Sequence, residues 1–236
     1  SKLIENVCIK IEEYIREVHP KQSVLICFDG VPPMAKLEQQ RARRFKSMHQ
    51  QSCVPNTEVP SNSGISSVMI TPGTEFYKRM NTFCNQYFDE SKRKELSLRE
   101  LIFSGSNVAG EGEHKIFEKI REDVEYHQVT NTCIYGIDSD LIMLSLNHTL
   151  SSKFHIYLYR ETPHFIQSID CNLLPDCSYL IDIPELARSI IHYMNCESKV
   201  ANNDRLRDYI LICFFLGNDY VSKIPSINIR TSGIDY

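Results

Sequence analysis

Short strand-like apolar runs, each closed by acids or glycines and each followed by a stretch of helical periodicity, constrain this chain most. Val24 to Phe28 is closed by Asp29-Gly30, Leu101 to Phe103 feeds the glycine-punctuated Gly105 to Gly112, and Thr132 to Ile137 is closed by Asp138-Ser139-Asp140. Strands that alternate with helices in this way predict an α/β fold, with a mostly parallel central sheet covered by helices on both faces. In such sheets the strand ends converge on one crevice, so acids placed there are brought together. Convergent carboxylates repel one another, and a hard divalent cation removes that cost.

The helical stretches are legible from spacing. Ile4, Cys8, Ile11, Ile15 and Val18 mark one face of a helix that Pro20 stops, and a second helix is expected from about Ala35 to Met48. Thr71-Pro72 reads as N-cap and first helical residue of a third, with Phe76, Met80, Phe83, Cys84 and Tyr87 on its inner face. Ile116, Phe117, Ile120 and Val124 predict the inner face of a helix after Gly112, and Asp140 is placed to cap a helix over Leu141 to Leu146. Phe154 to Tyr159 reads as a returning strand. The Ser-, Pro-, Asn- and Thr-rich stretch 50–67 reads as a flexible surface excursion. With no internal repeat or shift in composition, 1–236 is expected to be a single domain.

Composition excludes several classes. A chain of 236 residues with 42% hydrophobic and 24% charged residues is an ordinary globular protein. Its longest apolar stretch, Tyr209 to Leu216, is too short to cross a bilayer, and no secretory pattern opens the chain, so an intracellular site of action is expected. Nine cysteines without a C-x-x-C pair argue against structural zinc and a disulfide framework. The net charge of −4 is unevenly distributed, since between Lys36 and Lys46 only Glu38 opposes five basic residues.

Each motif has a plain alternative. Asp138 and Asp140 leave one face of an extended strand end, yet D-x-D is also an ordinary turn and helix cap. Asp29 before Gly30 suits a simple turn. Glu111 and Glu113, interleaved with glycines, could be acids favoured in a first helical turn, although Gly110-Glu111-Gly112-Glu113-His114-Lys115 is richer than that requires. Asp219 follows Gly217-Asn218 at the end of an apolar helix and is a better ligand candidate than Asp208. Lys36, Gln40, Arg43 and Arg44 fall at i, i+4, i+7 and i+8, one helix face able to receive a phosphate group, or simply a solvated basic face. His114 reads as a neighbour of the site rather than a ligand, and an all-oxygen set favours Mg²⁺ or Mn²⁺ over zinc.

Together these residues resemble the XRN family of 5′ to 3′ exoribonucleases, relatives of the flap endonucleases with a PIN-like fold. The resemblance is carried by Asp29 to Arg44, Ile70 to Phe76, Gly110 to Lys115, Asp138 to Met143 and Phe214 to Asp219. It implies that Asp29, Glu111, Glu113, Asp138, Asp140 and Asp219 hold a pair of Mg²⁺ or Mn²⁺ ions. It further implies that Lys36, Gln40, Arg43 and Arg44 receive the 5′-monophosphate of single-stranded RNA, which is degraded to mononucleotides in cytoplasm or nucleus. The family's first block, with one further aspartate and a histidine, is expected before Ser1, and its nuclease region continues past Tyr236. This stretch therefore resembles a domain interior truncated at both ends. Met34 stands where the family usually has arginine, and Pro32 and Glu38 also depart from its pattern. Three alternatives remain open: a non-catalytic RNA-binding or scaffold relative, a flap-type DNA endonuclease, and a small-molecule phosphohydrolase using D-x-D.

Overall fold

The computed structural model describes residues 2–53, 70–151, 153–162, 166–175, 177–195, 201–218 and 221–226. It is a mixed α/β structure in two compact units that meet in sequence between Ile116 and Phe117.

The first unit opens with α1 (Lys2–Val18), whose Ile4, Cys8 and Ile15 are buried as the spacing predicts. The helix ends where His19 takes a left-handed φ of 51° and donates its N–H to the Ile15 carbonyl at 3.0 Å, just before Pro20. β1 (Ser23–Cys27) pairs in parallel with β2 (Glu100–Ser104), and α2 (Met34–Cys53), α3 (Glu75–Tyr87) and α4 (Glu90–Glu95) lie between them in sequence. Tyr77, Met80, Cys84 and Phe88 join the buried residues of α1 and Ile26 in one core, with the Phe28 ring edge-on to Phe103 at 5.1 Å.

In the second unit β3 (Asn131–Tyr135) pairs in parallel with β4 (His155–Arg160), which pairs antiparallel with β5 (Tyr179–Asp182). α7 (Asp140–Ser151) connects β3 to β4; α9 (Ile183–Met194) and α10 (Asn202–Phe215) pack with it and with each other. The short α6 (Val124–Val129) precedes β3 and α8 (Ile166–Ile169) follows β4. Leu146, Ile156, Leu158 and Ile183 are fully buried here.

Several sequence expectations change. Among the described residues the strands form two small sheets, of two and three strands, rather than one central sheet, and β5 is antiparallel. α3 begins at Glu75, not Pro72: Thr74 is the N-cap, its hydroxyl accepting the Tyr77 N–H, while the Thr71 carbonyl accepts the Thr74 N–H across Gly73 at φ 91°. Thr71-Pro72, three residues earlier, had the right chemistry one turn too soon. The helix carrying Phe117 and Ile120, α5 (Gly112–Glu122), stops before Val124, because the Asp123 carboxylate caps a new helix by accepting the Tyr126 N–H. α2 runs on through Cys53, so residues 50–53 of the expected excursion are helical, and its remainder, 54–67, lies outside the described residues.

Candidate metal centre

The ends of β1 and β2 build this site. Beyond Cys27 the ladder continues for one bond, Phe28 N–H to the Ser104 carbonyl at 2.9 Å, and then the strands part. Asp29 emerges there, exposed to solvent. The loop before α5 returns alongside it: the Gly30 N–H donates to the Gly110 carbonyl at 2.8 Å and the Gly110 N–H to the Val31 carbonyl at 2.9 Å. The approach is so close that a Cβ on Gly30 would stand 1.8 Å from the Val108 carbonyl oxygen, which is why glycine is required.

The N-terminus of α5 then meets Asp29. The Gly112 N–H donates to Asp29 Oδ1 at 2.7 Å, so the carboxylate takes up an otherwise orphan donor of the helix's first turn. A side chain at Gly112 would crowd that oxygen, with its Cβ 3.3 Å away. Glu111 is buried, while Glu113 and His114 are partly so. One ligand atom each from Glu111, Glu113 and His114 lies within 4.8 Å of the others. Two carboxylates and an imidazole nitrogen at such spacing fit a divalent cation, the carboxylates suiting Mg²⁺ or Mn²⁺ and the imidazole favouring the transition metal. His114, set aside as a ligand on sequence grounds, thus stands with the two glutamates.

α2 contributes the basic side. Lys36 Nζ lies 3.2 Å from Glu111 Oε1, with side chains 13% and 8% exposed, and His114 Nδ1 lies 3.7 Å from Glu111 Oε2. Further along the helix the Arg44 guanidinium donates to Gln40 Oε1 at 3.3 Å, and Arg43 is exposed. The Tyr77 hydroxyl is pushed up to about 12, by burial first and then by the Asp29 charge.

Lys115, in the same Gly110 to Lys115 motif, has its role in the main chain. It is 8% exposed, and its ammonium donates to the carbonyls of Phe28 at 2.8 Å and Gly105 at 2.9 Å. Desolvation lowers its pKa, and the charges of Cys27 and Asp29 oppose that shift. The available signal was a lysine in the first turn of a helix, where the macrodipole disfavours a cation.

Asp138 and Asp140 belong to the second unit. Asp138 is exposed, and its Oδ1 accepts the N–H of Asp140, the first residue of α7, at 3.3 Å. Asp219 lies outside the described residues. Cys8, Cys27, Cys84, Cys133, Cys171, Cys177 and Cys213 are free thiols. No helix among the described residues is long and apolar enough to cross a membrane.

Residues 1–162 match the XRN 5′-3′ exonuclease N-terminus family, and residues 200–236 match the Xrn1 helical domain. The chain belongs to the XRN family. Over 98% of its length this XRN chain is 34% identical to 5′-3′ exoribonuclease 1 of Saccharomyces cerevisiae. It is 33% identical over 95% to 5′-3′ exoribonuclease 1 of Schizosaccharomyces pombe, and 30% identical over 98% to that of Homo sapiens. It spans 16%, 18% and 14% of the length of those relatives.

Proposed function

We propose that this chain supplies the acid site and the 5′-end pocket of a divalent-metal-dependent 5′ to 3′ exoribonuclease. Its substrate is single-stranded RNA with a 5′-monophosphate, and its product is one mononucleotide per step. The observation that carries this reading is the 3.2 Å contact of Lys36 with Glu111, which joins the basic face of α2 to the acid cluster. A phosphate received by Lys36, Gln40, Arg43 and Arg44 would lie beside the acids, so the first phosphodiester of the strand is the one presented for cleavage. Arginine forks suit the oxygens of a terminal phosphate better than those of an internal linkage.

Glu111 and Glu113, with Asp29, would hold one Mg²⁺ or Mn²⁺, and Asp138, Asp140 and Asp219 would be the remaining acids of a set for two, within a single nuclease domain. When bound there, such ions would supply an activated water and charge stabilisation at the leaving oxygen. Asp29, fixed through Gly112, keeps its second oxygen for that work. The enzyme acts inside the cell, in cytoplasm or nucleus.

The test uses labelled RNA bearing a 5′-monophosphate beside the same RNA with a 5′-hydroxyl, in Mg²⁺, Mn²⁺ or EDTA. Metal-dependent release of mononucleotides from the monophosphate RNA, lost in Asp138→Ala, is the expected result. Equal use of both RNAs would remove the α2 pocket from the reading. Binding without turnover in either metal would favour a scaffold relative.

A further inference from the structure

The most unusual group in the first unit is a buried lysine that does not use a carboxylate as its hydrogen-bond partner. Lys115 reaches from α5 to the Phe28 and Gly105 carbonyls. These two residues follow Cys27 and Ser104, the last paired positions of the β1–β2 ladder, so the ammonium spans the ladder where the strands separate. Burying an ammonium costs stability unless it is well bonded, and its place in the first turn of a helix adds to that cost. A methionine of similar length would fill the same space at lower cost. What methionine could not do is hold the Phe28 carbonyl, the group that fixes where Asp29 begins.

We propose that Lys115 is a positioning residue: it anchors the β1 end so that Asp29 receives the Gly112 N–H and faces the cation held by Glu111 and Glu113. The proposal rests on the reading of these acids as a metal site. Asp29 is then fixed at two points from one helix, its main chain through Lys115 and its carboxylate through Gly112. Motion at either point releases the acid from the position that the other sets.

The experiment compares wild type with Lys115→Met, Lys115→Gln and Lys115→Arg in the full chain. Mn²⁺ binding is followed by electron paramagnetic resonance, exchange of the Gly112 amide by hydrogen exchange, and RNA degradation by kcat and KM. In Lys115→Met the half-saturating Mn²⁺ concentration should rise at least fivefold and Gly112 exchange should quicken at least tenfold. kcat should fall at least tenfold with KM within twofold. Lys115→Arg, which keeps the donors, should stay within about threefold of wild type on every measure. A purely structural lysine would lower the unfolding midpoint and leave Mn²⁺ affinity and Gly112 protection unchanged, which overturns the proposal. Should the Met variant not fold, the order Arg above Gln decides in the same way, and failure of all three to fold also overturns it. A wild-type chain that neither binds Mn²⁺ nor degrades RNA would sink the proposed function, and Gly112 exchange alone would then decide the role of Lys115.

Discussion

Replacing Glu111 by glutamine separates the two roles that the structure gives this side chain. Glu111 pairs with Lys36 at 3.2 Å and stands within 4.8 Å of the ligand atoms of Glu113 and His114. At an effective dielectric of about 20 the attraction at that distance is about 5 kcal/mol, and most of it is spent on desolvating two largely buried groups. Losing one partner of a fully buried pair costs about 3–5 kcal/mol. Here Lys36 keeps 13% of its exposure, and the amide relieves repulsion with Glu113, so a loss of about 1–3 kcal/mol is expected in chelator. The second role appears when metal is added: saturating a site 100-fold above its dissociation constant stabilises the folded chain by about 2.7 kcal/mol. That increment should be present in wild type and absent in Glu111→Gln. The chain has no tryptophan, so urea unfolding followed by far-UV circular dichroism, in EDTA and in Mn²⁺, measures both quantities. An unchanged midpoint in EDTA would refute the ion-pair argument. An unchanged metal increment would remove Glu111 from the metal site, whatever the EDTA result.

Gly30→Ala should destabilise the first unit by at least about 1–3 kcal/mol, because the new Cβ meets backbone rather than a movable side chain; a wild-type urea midpoint would contradict the close approach of the two loops. Burial alone would raise the Glu12 carboxyl, but hydrogen bonds from Tyr87, Arg16 and Lys92 outweigh it and hold the group at about 2. A depressed acid contributes stability that is fully present above its unfolded value of about 4.5 and is lost as pH falls toward 2, so Tyr87→Phe should flatten the acid-unfolding profile in that window. His148 is buried against Phe117, with Nδ1 at the Leu144 carbonyl and Nε2 3.1 Å from Arg121. Desolvation lowers its pKa and the Arg121 charge adds to this, so stability should be lost as pH falls below about 6.5; His148→Gln should remove that slope, read by thermal unfolding between pH 7 and 5.

What could be read in the sequence was what local chemistry decides. α1, β1 and β2 follow from apolar spacing and strand-like runs, and the structure changes them by only a residue or two at each end. Where two caps competed, the sequence could not choose: Thr71 and Thr74 offer equally good acceptor oxygens, and the turn through Gly73 selects the second. β5 was missed because Tyr179–Asp182 is four residues long and its alternation is too short to register. The site divides in the same way. Glu111 and Glu113 stood out by their glycine spacing, and the structure brings them together with His114. Lys115 stood in the same motif unassigned, because its role lies in two carbonyls that are 87 and 10 residues away along the chain. Backbone acceptors carry no residue-type signature, so a side chain that works by holding main chain leaves only an energetic trace. That trace is a charge placed where both burial and the helix dipole oppose it. The same criterion, a charge set against its local preferences, picks out Lys36, kept largely from solvent on a basic helix and turned toward an acid that a metal would also claim. If both groups act as argued, metal and 5′-phosphate draw on one ion pair: release of Glu111 to a cation frees Lys36 for phosphate, and the two ligands should bind more tightly together than either does alone.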